Sequence, residues 1–142
     1  YPDDSMAKET EDQLMLGEGL MVAPVYTQNA TGRYVYLPED MLFVKFMPDD
    51  TLYQEKMEKG IHFVKVALNE VPMFIKKNHI VPLADSAESV AEMDTKRLSV
   101  IGWTDEQVFY TIYRDNGYEM DYENPEHYEK IVNIDNPDKP VR

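Results

Sequence analysis

The chain has 142 residues with 14 Lys and Arg against 27 Asp and Glu, and its formal net charge is −13. This acidity disfavours nucleic acid and anionic lipid surfaces as partners, because proteins bind both through Lys and Arg. Hydrophobic residues make up 43% of the chain, too many for a disordered protein, and the absence of cysteine excludes disulfides, thiolate zinc sites and thiol nucleophiles.

The first 16 residues predict one short helix. Asp4 or Ser5 can cap its start, because their side chains accept hydrogen bonds from the free backbone N–H groups of the first turn. Gly17 is placed to end this helix, since glycine readily adopts the left-handed conformation found at helix C-termini.

From Leu20 onward, short segments rich in β-branched, aromatic and other apolar residues alternate with turn residues. The predicted strands are residues 20–23, 33–37, 41–47, 61–68, 73–75, 80–81, 97–103, 107–114 and 128–134. The even-numbered residues from His62 to Leu68 fall on one face, and Asn116-Gly117 is typical of a tight hairpin. Residues 84–96 are small and acidic, and predict a surface loop or a loose helical turn. Short strands with regular turn signals indicate an antiparallel sandwich or barrel.

Both ends of the sequence suggest a larger protein. It begins at Tyr1 without an initiator Met and ends soon after the turn-like Asn136-Pro137-Asp138.

No apolar run approaches the roughly 20 residues of a membrane span, and no signal peptide opens the chain. We therefore expect no membrane partner and a cytoplasmic location.

Three pairs of adjacent acids are candidate carboxylates for glycoside hydrolysis, which needs two at a fixed separation. They are Asp3-Asp4, Glu11-Asp12 and Asp49-Asp50. Neighbouring side chains in a strand or turn point apart, and no His or Arg pattern surrounds these pairs. We interpret them as solvated surface and assign no catalytic residue.

Calcium is the functional interpretation of residues 115–129, because this segment holds six acids and no Lys or Arg. The six are Asp115, Glu119, Asp121, Glu123, Glu126 and Glu129. An EF-hand has glycine at its sixth position, whereas Gly117 is third from Asp115, so a solvated hairpin is the simpler interpretation.

The three histidines, His62, His79 and His127, are too far apart in sequence to indicate zinc. We assign no metal and no cofactor.

Aromatic residues of the second half offer a sugar-binding surface as an alternative. They are Trp103, Tyr110, Tyr113, Tyr118 and Tyr122. Aromatic residues are also enriched in ordinary strands, and packing within the fold is the simpler interpretation. The sequence has no glycine-rich phosphate loop and no nucleophile elbow.

Four groups of motifs occur in an order that resembles the C-terminal region of glycoside hydrolase family 31, which contains α-glucosidases and α-xylosidases. They are Tyr1-Pro2-Asp3-Asp4 with Glu11-Asp12-Gln13-Leu14-Met15-Leu16-Gly17 and Leu20-Met21-Val22-Ala23-Pro24-Val25; Val35-Tyr36-Leu37-Pro38; Val71-Pro72-Met73-Phe74-Ile75 with Ile80-Val81-Pro82-Leu83; and Tyr113-Arg114-Asp115-Asn116-Gly117 with Asp121-Tyr122. Two positions depart from the family. Residues 41–46 lack its two tryptophans, and Asn78 replaces its glycine, which Asn can do because it tolerates left-handed backbone.

The resemblance implies a mainly β chain: an antiparallel β-sandwich with a short N-terminal helix left from the end of a (β/α)8 barrel. Residues 1–19 would be the barrel's tail, 20–83 the proximal C-terminal sandwich, and 84–142 its remainder or the start of a distal β-domain. The residues that carry the motifs are expected to be structural: Asp12, Gln13, Gly17, Pro24, Asn78, Pro82, Asp115 and Gly117.

The resemblance also implies a role. The family's catalytic aspartates and substrate-binding histidine lie upstream of this region, so the chain alone is expected to be inactive. Its expected partners are the barrel and, through the parent enzyme, an α-glucoside. A surface for the barrel would be apolar and exposed here, and would also allow self-association. A carbohydrate-binding sandwich is the alternative.

Overall fold

The structure, a computed structural model, describes residues 1–47, 51–67, 69–118 and 120–132. Its elements are α1 Ser5–Glu9, β1 Leu14–Leu16, β2 Leu20–Val22, β3 Gly32–Leu37, β4 Met41–Phe46, β5 Leu52–Met57, β6 Gly60–Lys65, β7 Met73–Lys76, β8 His79–Ala84, β9 Leu98–Trp103, β10 Phe109–Tyr113, a 3-10 turn at Pro125–His127 and β11 Tyr128–Val132. The strand pairs are antiparallel throughout the described residues, which confirms the predicted mainly β class. The chain divides into two compact units between Lys77 and Asn78.

The first unit contains two sheets that share one core. Strands pair in the order β1-β2-β7-β4-β5 in one sheet, and β3 pairs with β6 in the other. Side chains from both sheets form a single buried cluster, namely Met21, Ala23, Val35, Leu37, Met41, Phe43, Val64, Val66 and Phe74. The two sheets therefore pack face to face as a small sandwich.

Strand β4 lies inside the five-stranded sheet, and its first four residues are buried. Consecutive buried residues point to opposite sides, so both faces of β4 are covered, as the unbroken apolar run predicts. The Phe43 ring stacks on Phe74 at 5.2 Å and meets the edge of Tyr53 at 5.9 Å. These phenyl contacts form the local packing of a strand that lacks the family's tryptophans.

The N-terminal helix is shorter than predicted. Asp4 caps it as expected, accepting hydrogen bonds from the N–H groups of Met6 and Ala7, but the helix ends before Thr10. Residues Leu14–Leu16 form β1 instead and pair with Leu20–Val22. So short a helix gains little from propagation, whereas β1 gains a hydrogen-bonded partner strand. Gly17, at φ +68°, belongs to the turn between these strands and does not end a helix.

Strand β5 was not among the predicted strands. Its centre is polar, with Gln54, Glu55 and Lys56 in succession, and this composition is typical of a loop. The strand forms the edge of its sheet, where Glu55 and Lys56 are exposed and full pairing with β4 supplies the stabilisation.

The alternation predicted for 61–68, with the even-numbered residues on one face, holds in β6 of the first unit. Val64 and the following Val66 are buried, and Leu68 lies outside the described residues.

In the second unit, β8 pairs with β9, and β10 with β11. Asn78 has φ +60°, the left-handed conformation expected from its replacement of glycine. Its N–H donates to Trp103 O at 2.8 Å and its Oδ1 accepts from Asp105 N at 3.0 Å.

The predicted tight hairpin at Asn116-Gly117 is wrong. Gly117 does adopt a positive φ of +77°. However, Tyr113 pairs with Tyr128, so a connection from 114 to 127 joins β10 to β11. Asp115 and Asn116 accept hydrogen bonds from backbone N–H groups two residues on, which makes this sequence a local turn within a longer loop.

Candidate docking surface

Gln13 connects the N-terminal segment to β3 through two hydrogen bonds. Its Nε2 donates to Tyr36 O at 2.7 Å, and its amide oxygen, Oε1, accepts from Tyr36 N at 2.8 Å. One side-chain amide thus satisfies both backbone groups of Tyr36, as a neighbouring strand would. The Asp-Gln motif therefore has a structural role at the edge of the second sheet.

Arg33 gathers three chain segments around one buried guanidinium. Its Nη2 pairs with Asp12 Oδ2 at 2.5 Å, and its Nη1 donates to Asp12 O at 3.0 Å and Pro24 O at 2.6 Å. The side chain is only 10% exposed and lies 5.8 Å from the Tyr26 ring. Asp12 and Pro24, which belong to two successive motif segments of the sequence, therefore meet at Arg33.

Asp4 links α1 to β3 and to the turn after β5. Besides capping the helix, its carboxylate accepts from the Tyr36 hydroxyl at 2.7 Å and from Lys59 Nζ at 3.3 Å. The hydrogen bonds from Tyr36 and from the Ala7 N–H, reinforced by Lys59, lower the pKa of Asp4 to about 2. The carboxylate is therefore held in its charged form by the fold.

Replacing Asp4 with Asn is expected to flatten the acid dependence of stability. Asn also caps helices, so α1 keeps its cap while the charge is lost. Because folding lowers the pKa of Asp4, its contribution is present above about pH 4 and is lost as the pH falls through about 2. Urea unfolding at several pH values should therefore show a smaller loss of stability between these limits in Asp4→Asn.

Asp3→Asn is the matched control for that experiment, because it removes the same charge without altering the contacts with Tyr36 and Lys59. The pKa values of Glu70 and Asp115 are also lowered by hydrogen bonds from backbone N–H groups. These two residues contribute equally to the acid dependence of the wild type and of both variants, so they do not affect the comparison. Equal acid dependence in wild type and Asp4→Asn would contradict the assigned role.

The outward side of the β3–β6 sheet carries aromatic and apolar side chains, with the exposed Lys65 at its end. Tyr34 lies opposite Phe63 and their rings meet edge to face at 5.2 Å; Tyr36 lies opposite Ile61. Tyr34 is 69% exposed, Ile61 60% and Phe63 51%. We call these three residues the outer face. Side chains of this kind normally lie against another surface.

A groove runs beside the outer face. Its volume is about 460 Å³, and it is bounded on one side by α1 and the segment that follows it, and on the other by β3 and β6. Apolar side chains in its lining include Met6, Tyr26, Tyr34 and Ile61, and acidic ones include Glu9 and Glu11. The groove lies entirely within the first unit.

The aromatic residues proposed for sugar binding do not share one sheet face. The register places Phe109, Tyr113 and Tyr128 on one side of the β10–β11 hairpin and Tyr110 on the other. Tyr118 and Tyr122 are in the connection between these strands, 93% and 65% exposed. Trp103 ends β9.

The acids of the 115–129 segment make local contacts. Asp115 accepts from Gly117 N at 2.9 Å, and Glu129 pairs with Arg114 at 2.6 Å. Glu119 lies outside the described residues, as do Asp49-Asp50. In the part of the chain that the structure describes, no three His, Asp or Glu side chains converge as a metal ion would require.

Other predicted residues are placed as follows. His127 lies 2.9 Å from Arg114 O through its Nδ1, and His62 lies 2.7 Å from Glu58 O through its Nε2. Pro82 lies within β8, opposite Val100. Across the described ranges no helix combines the length and apolar character of a membrane span.

Comparison with known proteins identifies one family. The model of the glycosyl hydrolase family 31 C-terminal domain matches residues 1–81. Alpha-glucosidase 2 of Bacillus thermoamyloliquefaciens is 25% identical over 95% of this chain, and the alpha-xylosidase of Saccharolobus solfataricus is 25% identical over 90%. The matched region is 17% of each of these relatives, so the chain spans about a sixth of their length.

Solved structures agree with this assignment. The GH31 dextranase FjDex31A of Flavobacterium johnsoniae is similar with a TM-score of 0.69 and 30% identity, over 93% of this chain and 16% of that one. The GH31 alpha-xylosidase of Xanthomonas citri gives 0.67 and 27%, over 92% and 14%.

Proposed function

Because this chain belongs to glycosyl hydrolase family 31, we propose that it is the C-terminal β-part of a larger α-glycosidase, where it packs against the catalytic barrel and stabilises it. The observation that carries the proposal is the match of nearly the whole chain to about a sixth of each relative. Relatives named alpha-glucosidase favour a parent that hydrolyses terminal α-linked glucose with retention. The parent would act in the cytoplasm.

A non-catalytic role is supported by what the acidic residues do. Hydrolysis of a glycosidic bond needs two carboxylates facing the substrate, one of them acting as an acid. Asp4 instead caps α1 and binds Tyr36, and Asp12 pairs with Arg33. Both contacts hold the chain together, and the hydrogen bonds from Tyr36 and Ala7 keep the pKa of Asp4 well below its usual range.

We keep the domain assignment as part of the proposal: residues 1–19 as the barrel's tail, 20–83 as the proximal sandwich, and 84–142 as its remainder or the start of a distal β-domain. Elements α1 and β1 lie in the same compact unit as β2–β7. The tail would therefore be the segment that ties the barrel to the sandwich, through Gln13 and Arg33.

The test is to compare the native gene product with the pure 142-residue chain. The native product is expected to be several times longer, as its relatives are, and to hydrolyse an aryl α-glucoside. The 142-residue chain is expected to show no turnover with the same substrate. Turnover by the chain alone, or a native product no longer than it, would overturn the proposal.

A carbohydrate-binding role is the second candidate, favoured by the exposed rings of Tyr118 and Tyr122. Exposed aromatic rings can stack on the apolar faces of sugars. Calorimetric titration of the chain with maltose or isomaltose distinguishes the two roles. Binding heat that is lost on Tyr118→Ala or Tyr122→Ala would favour this candidate over a purely supporting one.

A further inference from the structure

We propose that the groove beside the outer face receives a segment of the catalytic domain that carries an apolar side chain next to a Lys or Arg. The apolar side chain would lie against Tyr34 and Ile61, and the basic group would lie against Glu9 and Glu11. This inference rests on the proposed function, and it specifies where the two parts meet.

The floor of the groove is suited to an apolar side chain. Ile61 and Tyr34 are more than half exposed although they are β-sheet residues on adjacent strands. Met6 of α1, 43% exposed, and Tyr26, 74% exposed, extend the same apolar lining. Covering these side chains would remove apolar surface from water, the main favourable term in association.

The acidic residues Glu9 and Glu11 in the groove lining would attract a positively charged side chain. Among the described residues, Arg33 is already paired with Asp12, and Lys59 with Asp4. No ion pair engages Glu9 or Glu11 in that same part of the chain, and both line the groove. The chain as a whole carries −13, so a second acidic copy would be repelled here, whereas a basic segment would be attracted.

The rest of the parent polypeptide, judged by the length of the relatives, could provide such a segment. About five-sixths of each relative's length lies outside the region that this chain matches. A catalytic domain joined to the sandwich in one polypeptide is present at high effective concentration, so even a groove of modest size would stay occupied. The occupant is therefore taken to be the same polypeptide and not a separate protein.

Cysteine labelling tests the groove directly, because this chain has no native cysteine. Ile61→Cys places a thiol on the groove floor, and Val90→Cys is the matched control at a residue that is 83% exposed. With a maleimide reagent, both should label at similar rates in the 142-residue chain. In the full-length gene product, with the labelled peptides identified by mass, Ile61→Cys should label at least about tenfold more slowly than Val90→Cys, since the centres of interfaces exclude water.

A second pair of variants tests the charge. Glu9→Lys combined with Glu11→Lys, added to Ile61→Cys in the full-length product, should restore most of the labelling rate. Glu88→Lys combined with Glu92→Lys changes the net charge equally on an exposed loop and should leave the protection intact. Unchanged protection in the first combination would overturn the basic segment as occupant.

The outcomes separate the two proposals. A native product without a catalytic domain would remove the proposed function itself. A full-length enzyme in which Ile61→Cys labels as fast as Val90→Cys would overturn the groove alone and leave the supporting role standing. A dimer of the 142-residue chain that protects Ile61→Cys would assign the groove to a second copy, which also overturns this inference.

Discussion

Replacing Phe74 with Ala is expected to lower the free energy of unfolding by about 3–5 kcal/mol, the range for removing a buried aromatic side chain. Phe74 is fully buried in β7, the central strand of the five-stranded sheet. Its register places it between Met21 and Phe43, and its ring stacks on Phe43 at 5.2 Å. Truncation would leave a cavity between the two sheets of the sandwich, because neighbours on both sides are fixed by ladder hydrogen bonds. Urea unfolding followed by circular dichroism measures the loss.

Phe46→Ala is the matched control for Phe74→Ala, because it removes the same ring from the end of β4, where it is 56% exposed. The expected change is within about 1 kcal/mol. A similar loss from both substitutions would show that the core between the sheets is not where stability is concentrated, and would contradict the sandwich packing described above.

The central strands were predictable because their burial pattern is local. In β4 the unbroken run Met41-Leu42-Phe43-Val44 indicates a strand covered on both faces, and alternation about Val64 indicates one covered on a single face. Each pattern is present in the sequence without knowledge of any partner. The strands predicted from such runs are found in the structure, with ends that differ by a few residues.

The edges were less predictable because their stabilisation comes from distant residues. The polar centre of β5 is indistinguishable from a loop until β4 is known to lie beside it. Leu14–Leu16 continues an amphipathic helical pattern, and only pairing with β2 makes it a strand. The same holds at Asn116-Gly117, where a strong local turn signal is confirmed as a turn, while the pairing of β10 with β11 decides that it is not a two-residue hairpin.

The docking surface depends both on a local sequence pattern and on contacts between residues that are far apart along the chain. The sequence places Tyr34 and Tyr36 on one face of a strand, but it does not say whether that face is covered. Residues far apart along the chain, Met6, Tyr26 and Ile61, join Tyr34 in the groove only because β3 pairs with β6 and α1 lies alongside. The resemblance marked Asp12 and Gln13 as motif residues, yet their contacts with Arg33 and Tyr36 are tertiary and follow from no local rule.

Replacing Arg33 with Met is expected to lower the free energy of unfolding by about 1–3 kcal/mol, the cost of leaving one buried polar group without its partner. The change removes the donor of the part-buried Asp12 carbonyl, whereas the Pro24 carbonyl is exposed and can be hydrated again. The Asp12 carboxylate adds less, because its side chain is 37% exposed and can be hydrated again. Urea unfolding measures the loss, and Arg97→Met, which removes the same charge from an exposed residue, is expected to change stability by no more than about 0.5 kcal/mol.

Arg33→Lys separates the charge from the geometry of this contact. Lysine keeps the attraction to Asp12 but has no planar fork that can reach both carbonyl oxygens at once. Its stability should therefore fall between those of wild type and Arg33→Met. If Arg33→Lys were as stable as wild type, the ion pair alone would hold the N-terminal segment to the sandwich, and the carbonyl contacts would contribute nothing. If all three proteins were equally stable, Gln13 and Asp4 would be sufficient to hold that segment, and the groove would keep its shape without Arg33.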